Sequence, residues 1–170
     1  MNRPWCSIAC ALVVSTGLLA GPAARPASAQ EAVFVVRHAE RLDDSTDSPL
    51  SREGNARADR LADQLRGAQI TGVFATQFVR TQETVRPLAK LVDVPVQTVP
   101  AAETSALVAK LRGLGAHARA LVAGHSDTVP KILSALGCTE PVTIATDEYD
   151  NLWIVVPATS GAPTCVRMRF

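Results

Sequence analysis

Apolar residues along this chain come in two rhythms, and their alternation predicts the fold. Residues 32–36 (Ala-Val-Phe-Val-Val) form an unbroken apolar, β-branched run, the pattern of a strand buried on both faces. Residues 51–54 (Ser-Arg-Glu-Gly) then open a helix, with Ser51 a good N-cap and Glu53 suited to the positive first turn. Ala58, Leu61, Ala62 and Leu65 repeat at helical spacing, and Gly67 can end that helix. The alternation continues with a strand at 70–75 and a helix at 81–91, where Pro87 predicts a break or kink. A short edge-like strand at 94–99 carries Pro95 and is followed by Pro100. A helix at 105–111, a third buried strand at 120–123 and a helix at 128–136 with Pro130 in its first turn come next. Two strands, 152–156 and 165–170, close the chain in a manner that suits an antiparallel pair. The whole predicts a three-layer α/β/α sandwich around a mostly parallel sheet, with room for one antiparallel edge strand.

Such sheets bind ligands beyond the carboxyl ends of their strands. The residues directly after the three best strands are Arg37 and His38, the stretch from Thr76 to Arg80, and His125 with Ser126. They should therefore meet at one edge of the sheet, in a site rich in histidine and arginine.

The start of the chain follows a different logic. Arg3 precedes an apolar run of about 13 residues ending at Ala20, and Ala27-Ser28-Ala29 follows. This is the pattern of a secretory signal peptide cleaved after Ala29, and the run is shorter than the roughly 20 residues a membrane span needs. The expected organisation is thus a signal peptide at 1–29 and one domain at 30–170, exported to a periplasm or the extracellular space. Cleavage removes two arginines and no acidic residue, taking the formal charge from +1 to −1. A nearly neutral domain with few aromatics gives no sign of a nucleic-acid partner, and nothing in it calls for a membrane after cleavage. Cys6 and Cys10 leave with the signal, and Cys138 and Cys165 remain. In an oxidising compartment these two suit a disulfide closing a loop of about 28 residues, worth on the order of 3–4 kcal/mol in the chain-entropy model. Two buried thiols are the alternative.

Of the three histidines, His38 and His125 follow strands, whereas His117 sits in a loop and reads as a surface residue. Flanking arginines make a poor cation site, and no H-x-H, HExxH or Cys/His spacing suggests a metal. Arginine with histidine suits a phosphate instead. Guanidinium groups present a planar fork of donors to phosphoryl oxygens, and neutral imidazole is a competent nucleophile.

Four blocks carry a family resemblance: Arg37-His38-Ala39-Glu40; Leu50-Ser51-Arg52-Glu53-Gly54; the stretch from Ala75 to Thr84 around Arg80; and Gly124-His125-Ser126-Asp127-Thr128-Val129-Pro130. In order and content they resemble the histidine phosphatase superfamily, also called phosphoglycerate-mutase-like. The resemblance implies that His38 accepts the phosphoryl group as a phosphohistidine, that Arg37, Arg80 and His125 hold its oxygens, and that neither metal nor organic cofactor is needed. It also implies a carboxylic acid for the leaving oxygen. Glu103 lies in the region where one branch of the family keeps this acid, and it is the expected choice. Asp127 is the alternative acid, two residues past His125. Either could instead serve its helix start, Glu103 through the helix dipole and Asp127 as a cap.

The implied activity is hydrolysis of a small-molecule phosphomonoester. A phosphohistidine phosphatase, or a non-catalytic phosphate- or phosphoprotein-binding domain of the same fold, is the alternative. Mutase activity is not expected, because few further basic residues lie near the motifs to hold a second phosphate or carboxylate. An Arg-His-Ala-Glu-Arg start joined to export resembles the lipopolysaccharide core heptose phosphatase branch, which makes a cell-envelope phosphosugar a candidate substrate. The loop holding Glu40, Arg41, Asp43 and Asp44 is either solvated or lines the substrate entrance. The acidic run at 147–150 reads as a solvated loop, though its Tyr149 could pack against the site.

Overall fold

A computed structural model describes residues 32–170 apart from Ala116 and Thr159, so the signal-peptide pattern lies outside the described residues. The elements run β1 (Ala32–Arg37), α1 (Arg52–Leu65), β2 (Gly72–Ala75), α2 (Val79–Leu91), β3 (Val96–Thr98), α3 (Thr104–Arg112), β4 (Arg119–Gly124), α4 (Thr128–Ala135), β5 (Asn151–Val156) and β6 (Thr164–Arg169). They form one six-stranded sheet in the order β3-β2-β4-β1-β5-β6. The first four strands in that order are mutually parallel, while β5 runs antiparallel to β1 and β6 antiparallel to β5. The two closing strands thus form the antiparallel pair at one edge that the sequence pattern suggested.

The continuous apolar run of β1 explains the layering. Ala32, Phe34 and Val36 pack into one core with Leu61 and Leu65 of α1 and Val85 and Leu88 of α2. Val33 and Val35 pack into another with Leu107 and Leu111 of α3 and Ile132 and Leu133 of α4. Alternate side chains of one strand thus feed two cores, and helices cover both faces of the sheet. Each fully buried valine or leucine contributes about 1.5–3 kcal/mol as an upper figure.

Local rules hold helix α1 in place. Ser51 Oγ accepts from Gly54 N at 3.1 Å, and Ser51 N donates to the Glu40 carbonyl at 2.9 Å. A Cβ on Gly54 would collide with that same carbonyl oxygen, so the loop after β1 can lie against the helix only because residue 54 is glycine. Helix α2 runs through Pro87 to Leu91 without the break the sequence suggested. The burial of Val85, Leu88 and Ala89 on either side of Pro87 outweighs the one backbone bond a proline cannot make. Cys138 and Cys165 form a disulfide that ties the chain just past α4 to β6. Among the described residues no helix is long and apolar enough to cross a membrane.

Candidate active site

Three strand ends supply the floor of a cavity of about 580 Å³. Parallel pairing puts Arg37 of β1 opposite Gly124 of β4, and His38 N donates to the Gly124 carbonyl at 2.9 Å. That register sets His38 beside His125, with ring centroids 5.3 Å apart in an edge-to-face arrangement. Arg80 joins them from the first turn of α2, which starts just past β2. Arg37, His38, Arg80, His125 and Ser126 all line the one cavity, as the strand-end rule requires.

Each ring is fixed by what its backbone neighbours offer. His38 Nδ1 lies 2.7 Å from the Ala39 carbonyl oxygen, so it carries the proton and Nε2 keeps its lone pair. Burial, with the positive charges of Arg37 and Arg80 among the lesser causes, lowers its pKa from 6.5 to about 3. His125 falls to about 4, through burial first and then Arg80. Both imidazoles are neutral at physiological pH. His125 Nε2 lies 3.0 Å from Thr76 Oγ1, itself 2.8 Å from Thr81 Oγ1. Thr81 Oγ1 also lies 2.8 Å from the Phe78 carbonyl oxygen, a second acceptor for its one proton. Nδ1 is thus the nitrogen of His125 left for a ligand.

The two arginines are held by different means. Arg37 is buried, and its Nη1 donates to the carbonyls of Ala145 (2.9 Å), Thr146 (2.9 Å) and Glu148 (3.0 Å). Its guanidinium carbon sits 4.1 Å from the Tyr149 ring centroid. Arg80 donates Nη1 to the Thr46 carbonyl at 2.9 Å and lies 4.5 Å from the Phe78 ring centroid. The Nε of each is buried and, among the described residues, has no hydrogen-bond partner. Two clamped guanidinium groups beside a neutral imidazole form a site for an oxyanion, with a nucleophile in reach. Among the described residues no cluster of three or more His, Cys, Asp or Glu is placed to hold a metal ion.

The remaining sequence candidates divide. Glu103 is exposed at the start of α3 without a capping bond, and it does not line the cavity although Ala102 and Thr104 on either side do. Asp127 does line it, makes no capping bond to α4, and pairs with Lys131 at 3.7 Å. Glu40 is not at the entrance; it accepts from Arg57 of α1, with Oε1 2.6 Å from Nη2. His117 is exposed, in a left-handed backbone conformation with φ of 66°.

The acidic run at 147–150 does more than the solvated loop expected of it. Glu148 accepts from Ala145 N at 3.1 Å and from Arg167 and Arg169 of β6 at 2.6 and 3.1 Å, bracing the loop whose carbonyls hold Arg37. Tyr149 packs on the site as the sequence allowed, its ring centroid 6.0 Å from that of His38. The conjunction of aromatic and acidic residues was the only signal for this brace, and it gave no hint of the partner.

The three-layer α/β arrangement, with two histidines and two arginines at its strand ends, is that of the phosphoglycerate-mutase-like fold. Residues 33–106 match the family model of the histidine phosphatase superfamily (branch 1). The fold is similar to that of the protein histidine phosphatase SixA complexed with tungstate, with a TM-score of 0.66 and 23% identity over 81% of this chain and 96% of that one. It is also similar to a putative alpha-ribazole-5'-P phosphatase from Escherichia coli, with a TM-score of 0.67 and 14% identity over 83% and 97% of the two chains. A mycobacterial glucosyl-3-phosphoglycerate phosphatase gives a TM-score of 0.64 and 13% identity over 82% and 98%. No curated protein in the comparison matches the chain.

Proposed function

We propose that this phosphatase hydrolyses small phosphomonoesters through a phosphohistidine on His38, without a metal. One observation carries the reading: His38 is held by Ala39 with its Nε2 lone pair available, in a cavity lined by Arg37, Arg80 and a second neutral histidine. In the first step Nε2 attacks phosphorus and the bond from phosphorus to the ester oxygen breaks. Charge gathers on the three equatorial oxygens, where Arg37 and Arg80 meet it. His125 donates from Nδ1 when Thr76 donates to its Nε2 and Thr81 donates to Thr76.

The leaving oxygen needs a proton. Asp127 takes that role in this reading, because it lines the cavity and Glu103 does not; it enters the step in its protonated form, released from its pair with Lys131. In the second step water attacks the phosphohistidine, the phosphorus–nitrogen bond breaks, and Asp127 receives the proton that water gives up. Inorganic phosphate leaves.

Dephosphorylation of a phosphohistidine protein is a second reading of the same site. It is favoured by the thin supply of carboxylates, since an imidazole leaving group makes less demand on an acid than an alkoxide does. Export is a further part of the proposal. It rests on the pattern at 1–29 and on the Cys138–Cys165 disulfide, which suits an oxidising compartment. A cell-envelope phosphosugar is the candidate substrate there.

The test is turnover of an aryl phosphate by residues 30–170 in excess chelator, beside His38→Ala. Turnover that resists the chelator and falls on the order of 10³-fold or more in the variant is expected. Phosphate binding without turnover at any pH would instead make the chain a binding domain.

A further inference from the structure

The cavity is larger and more cationic than a phosphoryl group requires. Arg37 and Arg80 are committed to the phosphoryl oxygens, yet Arg41 and Lys131 line the same space. Four cationic side chains thus face one carboxylate, Asp127. A phosphomonoester dianion offsets two of the three net positive charges and leaves one. Arg41 comes from the loop after β1 and Lys131 from α4, so they belong to separate parts of the rim. Neither is tied down: Arg41 pairs with Asp44, whose side chain is 95% exposed, and Lys131 pairs at 3.7 Å with Asp127, both more than half exposed. Ion pairs so open to water are weak and exchange readily for a better-placed anion. The charge of Arg41 also reaches the floor, since after burial it is the next cause lowering the pKa of Arg80.

We infer that Arg41 and Lys131 form an anion subsite, and that the preferred substrates are phosphomonoesters with a second anionic group, carboxylate or phosphoryl, on the alcohol side. The inference rests on the hydrolase reading above and narrows its substrate class. It reverses the expectation from sequence that the motifs lack basic residues for a second anion. The sequence separates Lys131 from His125 by one turn of α4 and Arg41 from His38 by a loop, and only the fold turns both toward one space.

The decisive comparison uses two esters of the same shape, 4-carboxyphenyl phosphate and 4-carbamoylphenyl phosphate, which differ at neutral pH by one charge. The wild-type domain should show a lower KM for the carboxylate, by about two- to fivefold, the range of a partly exposed ion pair. Lys131→Gln should bring that ratio toward one; any loss through its ion pair with Asp127 falls on both esters alike and leaves the ratio unchanged. Arg41→Gln should lower the preference too, with a smaller loss on both esters because its charge reaches the phosphate floor. No preference in the wild type, or an equal loss on both esters in Lys131→Gln at unchanged melting temperature, overturns the inference. If neither ester is turned over, the hydrolase reading falls. The subsite is then decided by equilibrium binding of the same two esters, where the same preference and its loss in Lys131→Gln are required.

Discussion

The floor and the rim of this cavity are built in opposite ways. On the floor, Arg37, His38 and His125 are at most 8% exposed, and each is gripped by backbone or by a buried threonine. On the rim, Asp127 and Lys131 have side chains 68% and 65% exposed and are held by little beyond each other. The floor is fixed before a substrate arrives, which is what stabilising transition-state charge requires. The rim can change partners, which is what accepting different leaving groups requires. In the proposed mechanism the floor acts on every substrate alike, whereas the rim acts according to the leaving group.

Substitutions on the two sides should differ in how their cost depends on the leaving group. Arg37→Lys keeps the charge but loses the fork that reaches three carbonyls and the phosphoryl oxygens together. It should lower kcat/KM for an aryl phosphate by about 10²-fold or more, read by steady-state kinetics. Asp127→Asn should lower kcat by about 10² for an alkyl ester, and by much less for a nitrophenyl ester whose leaving group needs no acid. Glu103→Gln should stay within about twofold on both; the reverse pattern would return the acid to Glu103.

The sequence told much about the floor and little about the rim, for a physical reason. Arg37, His38 and His125 sit where continuous apolar strands end, and sheet register does the rest. Glu103 was placed in the right neighbourhood by its segment, but the first turn of α3 decides which neighbours face the cavity, and there they are Ala102 and Thr104. The carbonyls that hold Arg37 lie 108 to 111 residues away in the chain, beyond the reach of any local pattern. Pro87 does not break α2, because the core on both sides of it overrides a local preference.

Glu148 offers a sharper cut between floor and rim, since it touches the floor only through the loop. Glu148→Gln loosens the grip of Arg167 and Arg169 and should raise KM about threefold to tenfold with a smaller change in kcat, and Glu148→Asp should recover part of it. A drop in melting temperature with unchanged KM would mean a structural role alone.

The smallest effect concerns pH. His38 and His125 have folded pKa values of about 3 and about 4, against 6.5 in the unfolded chain. Above 6.5 neither state binds a proton at these rings, so their contribution to stability is whole there. Between 6.5 and the folded values the unfolded chain binds more protons, so stability falls as pH falls. His38→Asn should flatten the loss of unfolding free energy between about pH 6.5 and 4, measured by urea denaturation.

The central claim is that His38 carries the phosphoryl group, and trapping it is the most direct test. Rapid acid-free quenching of the domain with radiolabelled aryl phosphate, followed by peptide mapping, should place base-stable, acid-labile phosphate on His38 and none on the His38→Ala protein. Full turnover with no label on His38, or label retained in the variant, would contradict the account.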